Sequence, residues 1–275
     1  MSVRLAHLSD IHFGGEHVEA VAAAKAWIAE HRPNLTVITG DVTREGLQTE
    51  FEAARDWIAG LEGETLVVPG NHDTPYFNLF KRLFAPWERY QRYFGAVDER
   101  AFLRPGLAIA RINTARGVQL RTNWSKGAIA SWQVTDAVGA LAAAPADALR
   151  IIACHHPLIE MIGAPMSGAV RGGRDAAVAF ARARVDLVMT GHVHAPFALP
   201  YPGGDGRTWA VGASTLSIRE RGVPIGFNCI EIQDECVTCT ALAWTGSHFE
   251  PWRTWTAAPL RPDGRRRPQT KAAAG

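Results

Sequence analysis

Short apolar runs alternate with longer amphipathic stretches over the first two thirds of the chain. The runs VRLAHLS, LTVITG, TLVVPG, LRIIACHH and VDLVMTGH each close on polar residues. Runs of this length, bounded by glycine and polar side chains, read as buried strands. The stretches between them have helical spacing. From Val18 to His31 the positions Val21, Ala24, Trp27 and Ile28 fall on one face, and from Thr49 to Leu61 the same holds for Phe51, Ala54, Trp57 and Ile58. Strand, helix, strand in succession predicts parallel pairing with right-handed crossovers, and so an α/β fold.

The pattern changes at Trp209. WAVGASTLSI, GFNCIEIQ and CVTCTALAW are strand-like, joined by short polar turns such as Gln233-Asp234-Glu235, and read as antiparallel. A mixed sheet or a two-sheet sandwich with helices outside accommodates both halves. Residues 76–94, YFNLFKRLFAPWERYQRYF, read as two short helices split by Pro86 that cap a site. Residues 259–275 have little to bury and read as a disordered tail. The expectation is therefore one domain over residues 1–258, with a helical cap at 76–94 and a strand-rich part at 209–255.

Composition changes this picture little. In 275 residues, 29 basic side chains face 27 acidic ones, 47% of positions are hydrophobic and 20% are charged. These are the fractions of an ordinary globular protein, and a net charge of +2 gives no reason to expect a nucleic-acid partner. The first residues, MSVRLAHLSD, lack the basic start and small-residue cleavage site of a signal peptide, and every apolar run is broken well short of a membrane span. A cytoplasmic location is the expectation. Of the four cysteines, Cys236 and Cys239 have a C-x2-C spacing, but no second pair accompanies them. Together with Cys154 and Cys229 they read as reduced, semi-buried core residues.

The chemistry lies where the strands end. In a parallel α/β sheet, ligands gather at the loops after the strands' carboxyl ends. The endings here are Ser9-Asp10-Ile11-His12, Gly40-Asp41, Gly70-Asn71-His72-Asp73, His155-His156-Pro157 and Gly191-His192-Val193-His194, which together hold six of the ten histidines. A lone H-x-H on a loop is ordinarily a hydrogen-bonded pair, but five such endings need a common cause. Asp10 and His12 stand two apart, as do His192 and His194, so each pair projects to one side of an extended segment. Carboxylate, imidazole and carboxamide donors form a mixed set suited to manganese, iron, zinc or cobalt rather than calcium. Seven donors exceed one tetrahedral site. Two divalent or mixed-valence ions sharing Asp41 fit them better.

In this order the motifs D-x-H, GD, GNHD, HHP and GHVH resemble the full signature of the calcineurin-like metallophosphoesterase superfamily over about residues 3 to 195. Within it they look most like the bacterial cyclic-nucleotide and glycerophosphodiester phosphodiesterases. The resemblance implies a four-layer αββα sandwich of two mixed sheets flanked by helices. It also implies one ion held by Asp10, His12, Asp41 and His194, and another held by Asp41, Asn71, His155 and His192. Of the adjacent histidines, His155 matches the ligand and His156 supports the loop. Two adjacent cations lower the pKa of a water held between them and orient in-line attack at phosphorus. His72 is then free to reach a phosphoryl or leaving-group oxygen, with Asp73 either holding its tautomer or capping the next helix.

The function expected from these residues is hydrolysis of a small phosphodiester, either a cyclic nucleotide or a glycerophosphodiester. Arg44, Arg171 and Arg174, with His156, are the candidates for contacting the anionic substrate. The sequence departs from the family's familiar pattern at two places: Arg44 after the GD motif, and Asn113-Thr114 at the end of the middle strand. The chief rival is a lipid-linked ester, such as a phospholipid or nucleotide-linked lipid, because Tyr76 to Phe94 with Trp244, Trp252, Arg253 and Trp255 could lie on a membrane surface. Peripheral membrane contact is the less favoured reading. A non-catalytic scaffold of the same fold is the alternative from another class, against which the full ligand set argues. The strands after Trp209 offer a surface for a homodimer.

Overall fold

The computed structural model describes residues 3–97, 101–121, 123–146, 148–160, 170–201, 206–219, 221–233 and 236–257. The expected tail at 259–275, the apolar segment 161–163 after HHP and most of the turn at 233–235 lie outside the described residues.

In the first sheet, β1 (Val3–Leu8), β2 (Leu35–Thr39) and β3 (Thr65–Val68) run parallel, in register Leu5 to Leu35 and Val37 to Leu66. Three antiparallel strands, β10 (Gly226–Gln233), β11 (Cys236–Trp244) and β12 (Phe249–Ala257), extend it outward from β1. The second sheet has β5 (Leu107–Ile112), β6 (Leu149–Cys154), β7 (Leu187–Thr190) and β9 (Trp209–Gly212) in parallel. Antiparallel β4 (Phe102–Arg104) and β8 (Phe197–Pro200) close its edges. Each apolar run thus became a strand because both its faces are covered; all five residues of β2 are buried.

Leu5, Val37, Leu66, Ile109, Ile151, Leu187, Val211 and Ile230 fill the space between the two sheets. Outside the first sheet lie α1 (Val18–His31), α2 (Gln48–Ala59) and α4 (Glu88–Phe94), whose Ile28, Phe51 and Tyr90 are fully buried. Outside the second lie α5 (Ser131–Ala142) and α6 (Gly173–Arg182), which bury Leu141 and Phe180. This is the expected αββα order. The two periodic helices begin within a residue of their predicted starts, and α3 (Leu79–Phe84) and α4 fall on either side of Pro86 as predicted.

Two expectations change. The segment from Trp209 was read as a long antiparallel strand, but β9 ends at Gly212 and lies parallel to β7. The edge strand β8 hairpins into β9, which therefore inserts beside β7, and residues 213–219 form a loop. The cysteines are all free, but Cys236, at the start of β11, is exposed, whereas Cys154, Cys229 and Cys239 are buried.

Candidate metal centre

All seven predicted ligands are buried at one end of the sandwich, on the loops that leave β1, β2, β3, β6 and β7. Five of them, Asp10, His12, Asp41, His192 and His194, have backbone φ between 50° and 68°. Left-handed backbone is costly for side chains with a Cβ and persists where the surroundings enforce it, commonly at functional sites. Here it turns each chain sharply after its strand and aims the side chain inward. Glycine permits the same loops to close on one another. A Cβ on Gly70 would collide with the Asp41 carboxylate, and one on Gly191 would collide with Ser9 Oγ and stand 2.5 Å from Asp10 Oδ2. Gly191→Ala is accordingly expected to cost about 1–3 kcal/mol through overpacking. It should also lower metal content, as read by thermal denaturation and elemental analysis; a variant matching the wild type in both would mean that Ser9 yields freely.

On one side of the centre, His194 Nε2 lies 3.0 Å from Asp10 Oδ1 and 3.4 Å from His12 Nε2. His12 Nε2 is in turn 3.8 Å from Asp10 Oδ1 and 3.9 Å from Asp41 Oδ2. The tautomers follow from the other ring nitrogens. His12 Nδ1 donates to the Thr43 carbonyl at 3.3 Å and His194 Nδ1 to the Arg219 carbonyl at 2.9 Å. Two bare lone pairs therefore face each other beside a carboxylate. Burial pushes the His12 pKa down to about 3, so it is neutral, as a ligand must be.

On the other side, His155 Nδ1 donates to the Thr39 carbonyl at 2.7 Å and leaves Nε2 facing Asp41 Oδ2 at 3.2 Å. Burial disfavours charge on His155, but Asp41 outweighs it and raises the pKa to about 9. A cation between the two would replace that proton. The His192 ring centroid lies 5.2 Å from that of His155, and burial lowers its pKa to about 3. Asn71 precedes His72, whose backbone N–H donates to Asp41 Oδ1 at 2.8 Å. Burial alone would raise both aspartates, yet neighbouring histidines, His194 for Asp10 and His155 for Asp41, hold them below the usual carboxylate range.

The fit to metal rests on atoms that nothing else satisfies. Asp10 Oδ1, Asn71 Oδ1 and His155 Nε2 are buried without a hydrogen-bond partner. Such atoms are costly unless an ion completes them. Ligands bound at about 2.0–2.2 Å stand about 3.0–3.5 Å from one another, the spacing of the His194–Asp10, His12–His194 and His155–Asp41 pairs. Asp10-His12-His194 and Asp10-Asp41-His155 form two groups whose donor atoms lie within 4.8 Å of one another, and Asp41 also approaches His12 in the first group.

His156 was a candidate for substrate contact and is corrected. It also lies within 4.8 Å of His155 and His192, but both its nitrogens are spent: Nε2 donates to Ser125 O at 2.7 Å and Nδ1 accepts from Thr114 Oγ1 at 2.8 Å. It supports the loop. Asp73 does not set the tautomer of His72. Its carboxylate accepts from Gly70 N, Thr43 N and Thr43 Oγ1 at 2.8–2.9 Å, stapling the β2 and β3 loops together, and the next helix starts only at Leu79. His72 Nδ1 instead donates to the Arg44 carbonyl at 2.6 Å. Arg44 thus contributes main chain, while its guanidinium donates to Gly14 O at 3.2 Å. Arg171 and Arg174 are exposed around the start of α6; Arg171 N donates to the carbonyl of Gly127, which packs on His156.

Two arginines escaped the sequence reading. Arg219 Nη1 donates to His72 Nε2 at 3.4 Å, and burial lowers the pKa of half-buried Arg221 against the opposing charge of Asp10. Their loop follows β9 and is itself a strand exit, a signal hidden when Trp209 to Ile218 is read as one strand.

A two-sheet αββα sandwich whose loop ends bring carboxylates, imidazoles and a carboxamide together in groups that could hold metal ions is the architecture of a metal-dependent hydrolase. The chain belongs to the calcineurin-like phosphoesterase family, whose model matches residues 3–196, and is a phosphoric ester hydrolase. A Synechococcus sp. protein named "Probable cyclic nucleotide phosphodiesterase" is 22% identical over 90% of this chain and 96% of its own length. One of the same name from Rhodopseudomonas palustris is 26% identical over 70% and 71%. Among solved structures, a dimetal phosphatase from Danio rerio superposes with a TM-score of 0.66 at 12% identity, covering 94% of this chain and 99% of that one, a likeness of fold.

Proposed function

We propose that the chain is a dinuclear-metal phosphodiesterase acting on a small phosphodiester, either a cyclic nucleotide or a glycerophosphodiester. The observation that carries the reading is the set of orphaned donors on Asp10, Asn71 and His155 at the shared end of both sheets. The relatives that span most of this chain, named as cyclic nucleotide phosphodiesterases, support the substrate class. Asp10, His12, Asp41 and His194 would hold one ion, and Asp41, Asn71, His155 and His192 the other. Manganese, iron, zinc and cobalt all suit these donors. Once bound, the pair supplies neutralisation of phosphoryl charge and a water activated near neutral pH. His72, held at Nδ1 by Arg44 O, turns Nε2 toward the site; carrying a proton there as well, the ring would give that proton to the leaving oxygen and return to its neutral Nδ1–H form.

The test is hydrolysis of bis(p-nitrophenyl) phosphate by manganese-reconstituted protein, followed by kcat/KM for cyclic nucleotides, glycerophosphodiesters and nucleotide-linked lipids. Activity that disappears on chelation and returns with metal is expected. Inactivity toward the whole series with metal bound would favour a scaffold.

A second reading, a lipid-linked ester, draws on one observation. Tyr76, Phe77, Leu79, Phe80, Leu83 and Phe84 are all more than half exposed, and Leu120 is fully exposed. Arg82 ties α3 to the Leu120 loop through Gly117 O at 2.8 Å, and Ser125 of that loop holds His156. An apolar surface of this kind beside a site marks an interaction face. No helix among the described residues is long and apolar enough to cross a membrane. For the cyclic-nucleotide reading, the expected outcome is that the protein stays in the supernatant when centrifuged with anionic phospholipid vesicles; co-sedimentation lost in Phe80→Ser would favour the lipid.

A further inference from the structure

The loop after β9 is fastened to the centre at several points. Thr215 Oγ1 donates to the Asp10 carbonyl at 2.6 Å and shares a hydrogen bond with Ser217 Oγ at 2.8 Å. Leu216 O accepts from His17 N at 2.9 Å, and Ile218 N donates to Gly15 O at 3.1 Å. The Arg219 carbonyl then receives the Nδ1 proton of the ligand His194. The main chain of Arg219 is therefore fixed at the metal centre, while its side chain is exposed and ends 3.4 Å from His72 Nε2.

That contact is long and chemically provisional. A guanidinium has five donors and no acceptor, and a ring nitrogen is a poor partner for it compared with a phosphoryl oxygen, which a guanidinium grips in a charge-assisted and often bidentate way. The same contact occupies the nitrogen that the hydrolytic reading needs open, since His72 already donates its Nδ1 proton to Arg44 O.

We propose that Arg219 is the substrate-anion clamp of this site: it caps His72 Nε2 in the free protein and moves to a non-bridging phosphoryl oxygen when substrate binds, freeing Nε2 to take from solvent the proton that it then gives to the leaving group. This rests on the phosphodiesterase reading and adds to it the residue that recognises the phosphoryl group and gates the proton donor. Arg221, two residues on, is half-buried. Burial lowers the pKa of its guanidinium, and the Asp10 carboxylate opposes that fall. A guanidinium in addition to the ions selects substrates whose scissile phosphorus keeps free anionic oxygens.

The experiment uses manganese-loaded full-length protein. It measures bis(p-nitrophenyl) phosphate kinetics and the binding of inorganic phosphate by calorimetry and competitive inhibition. R219Q is expected to weaken phosphate by about 10- to 100-fold, the range of a hydrogen bond to a charged group, and to raise KM. R219K, which keeps charge but loses the fork, should fall between. Metal content and melting temperature should match the wild type. In a His72→Ala background R219Q should weaken phosphate as strongly, because the clamp touches the anion itself. If the loss vanishes there, Arg219 acts only through His72 and the clamp is overturned. Wild-type phosphate affinity in R219Q overturns it as well. A wild-type protein that holds manganese yet neither hydrolyses the ester nor binds phosphate would instead remove the phosphodiesterase reading, and the clamp with it.

Discussion

Asp41→Ala is expected to reduce bound metal from about two ions per chain to one or none and to cut phosphodiester hydrolysis by about 10³-fold or more. Asp41 faces a histidine of each group of donors, with Oδ2 3.2 Å from His155 Nε2 and 3.9 Å from His12 Nε2. Its other oxygen is committed to the His72 N–H, so its direction is set before any ion arrives. Removing it would deprive the two proposed cations of their shared anion and leave His12 and His155 without the carboxylate they face. Elemental analysis after dialysis, alongside turnover with excess manganese, checks the prediction. A variant that keeps both ions would end the role of Asp41 as the bridge. Cys236→Ser, exposed on β11, serves as the silent control.

His72→Ala is expected to lower kcat by about 10²- to 10⁴-fold, the range of general acid catalysis, while both ions stay bound. The retention of metal has a specific cause. His72 supports Asp41 through its backbone N–H, which alanine preserves. The ring itself stands edge-on to His12 with centroids 4.8 Å apart and is more accessible than the buried ligands. Turnover with a p-nitrophenol leaving group should suffer least, because that group departs without a proton. Full activity on an alkyl diester would remove His72 from the chemistry.

Much of the candidate centre was legible because its proposed ligands sit at the ends of apolar runs, where a local pattern and a chemical residue type coincide. Asp10, Asp41, His155 and His194 are examples. The tautomers were not legible, since they depend on which carbonyl faces each ring: Thr39 for His155, Thr43 for His12, Arg219 for His194. None of these pairs is local in sequence. Asp73 misled for the same reason. Adjacency to His72 suggested a partnership, whereas the extra hydrogen-bond demand lay 30 residues away at Thr43. In the fold, β1 to β3 and their helices were readable from periodicity alone. The direction of β9 was not, because an apolar strand looks the same whether its neighbour is parallel or antiparallel.

The two sheets contribute unequal but complementary parts of the donor set: Asp10, His12, Asp41 and Asn71 come from the first, and His155, His192 and His194 from the second. An occupied centre is then a rivet through the sandwich, placed at the end where the loops, rather than the packed aliphatic layer, hold the halves together. A ligand bound only by the native state adds about 4 kcal/mol when it is present at a thousand times its dissociation constant. Heat tolerance and resistance to proteolysis should therefore track metal supply, and in a starved cell the copies without ions would be the first to be degraded.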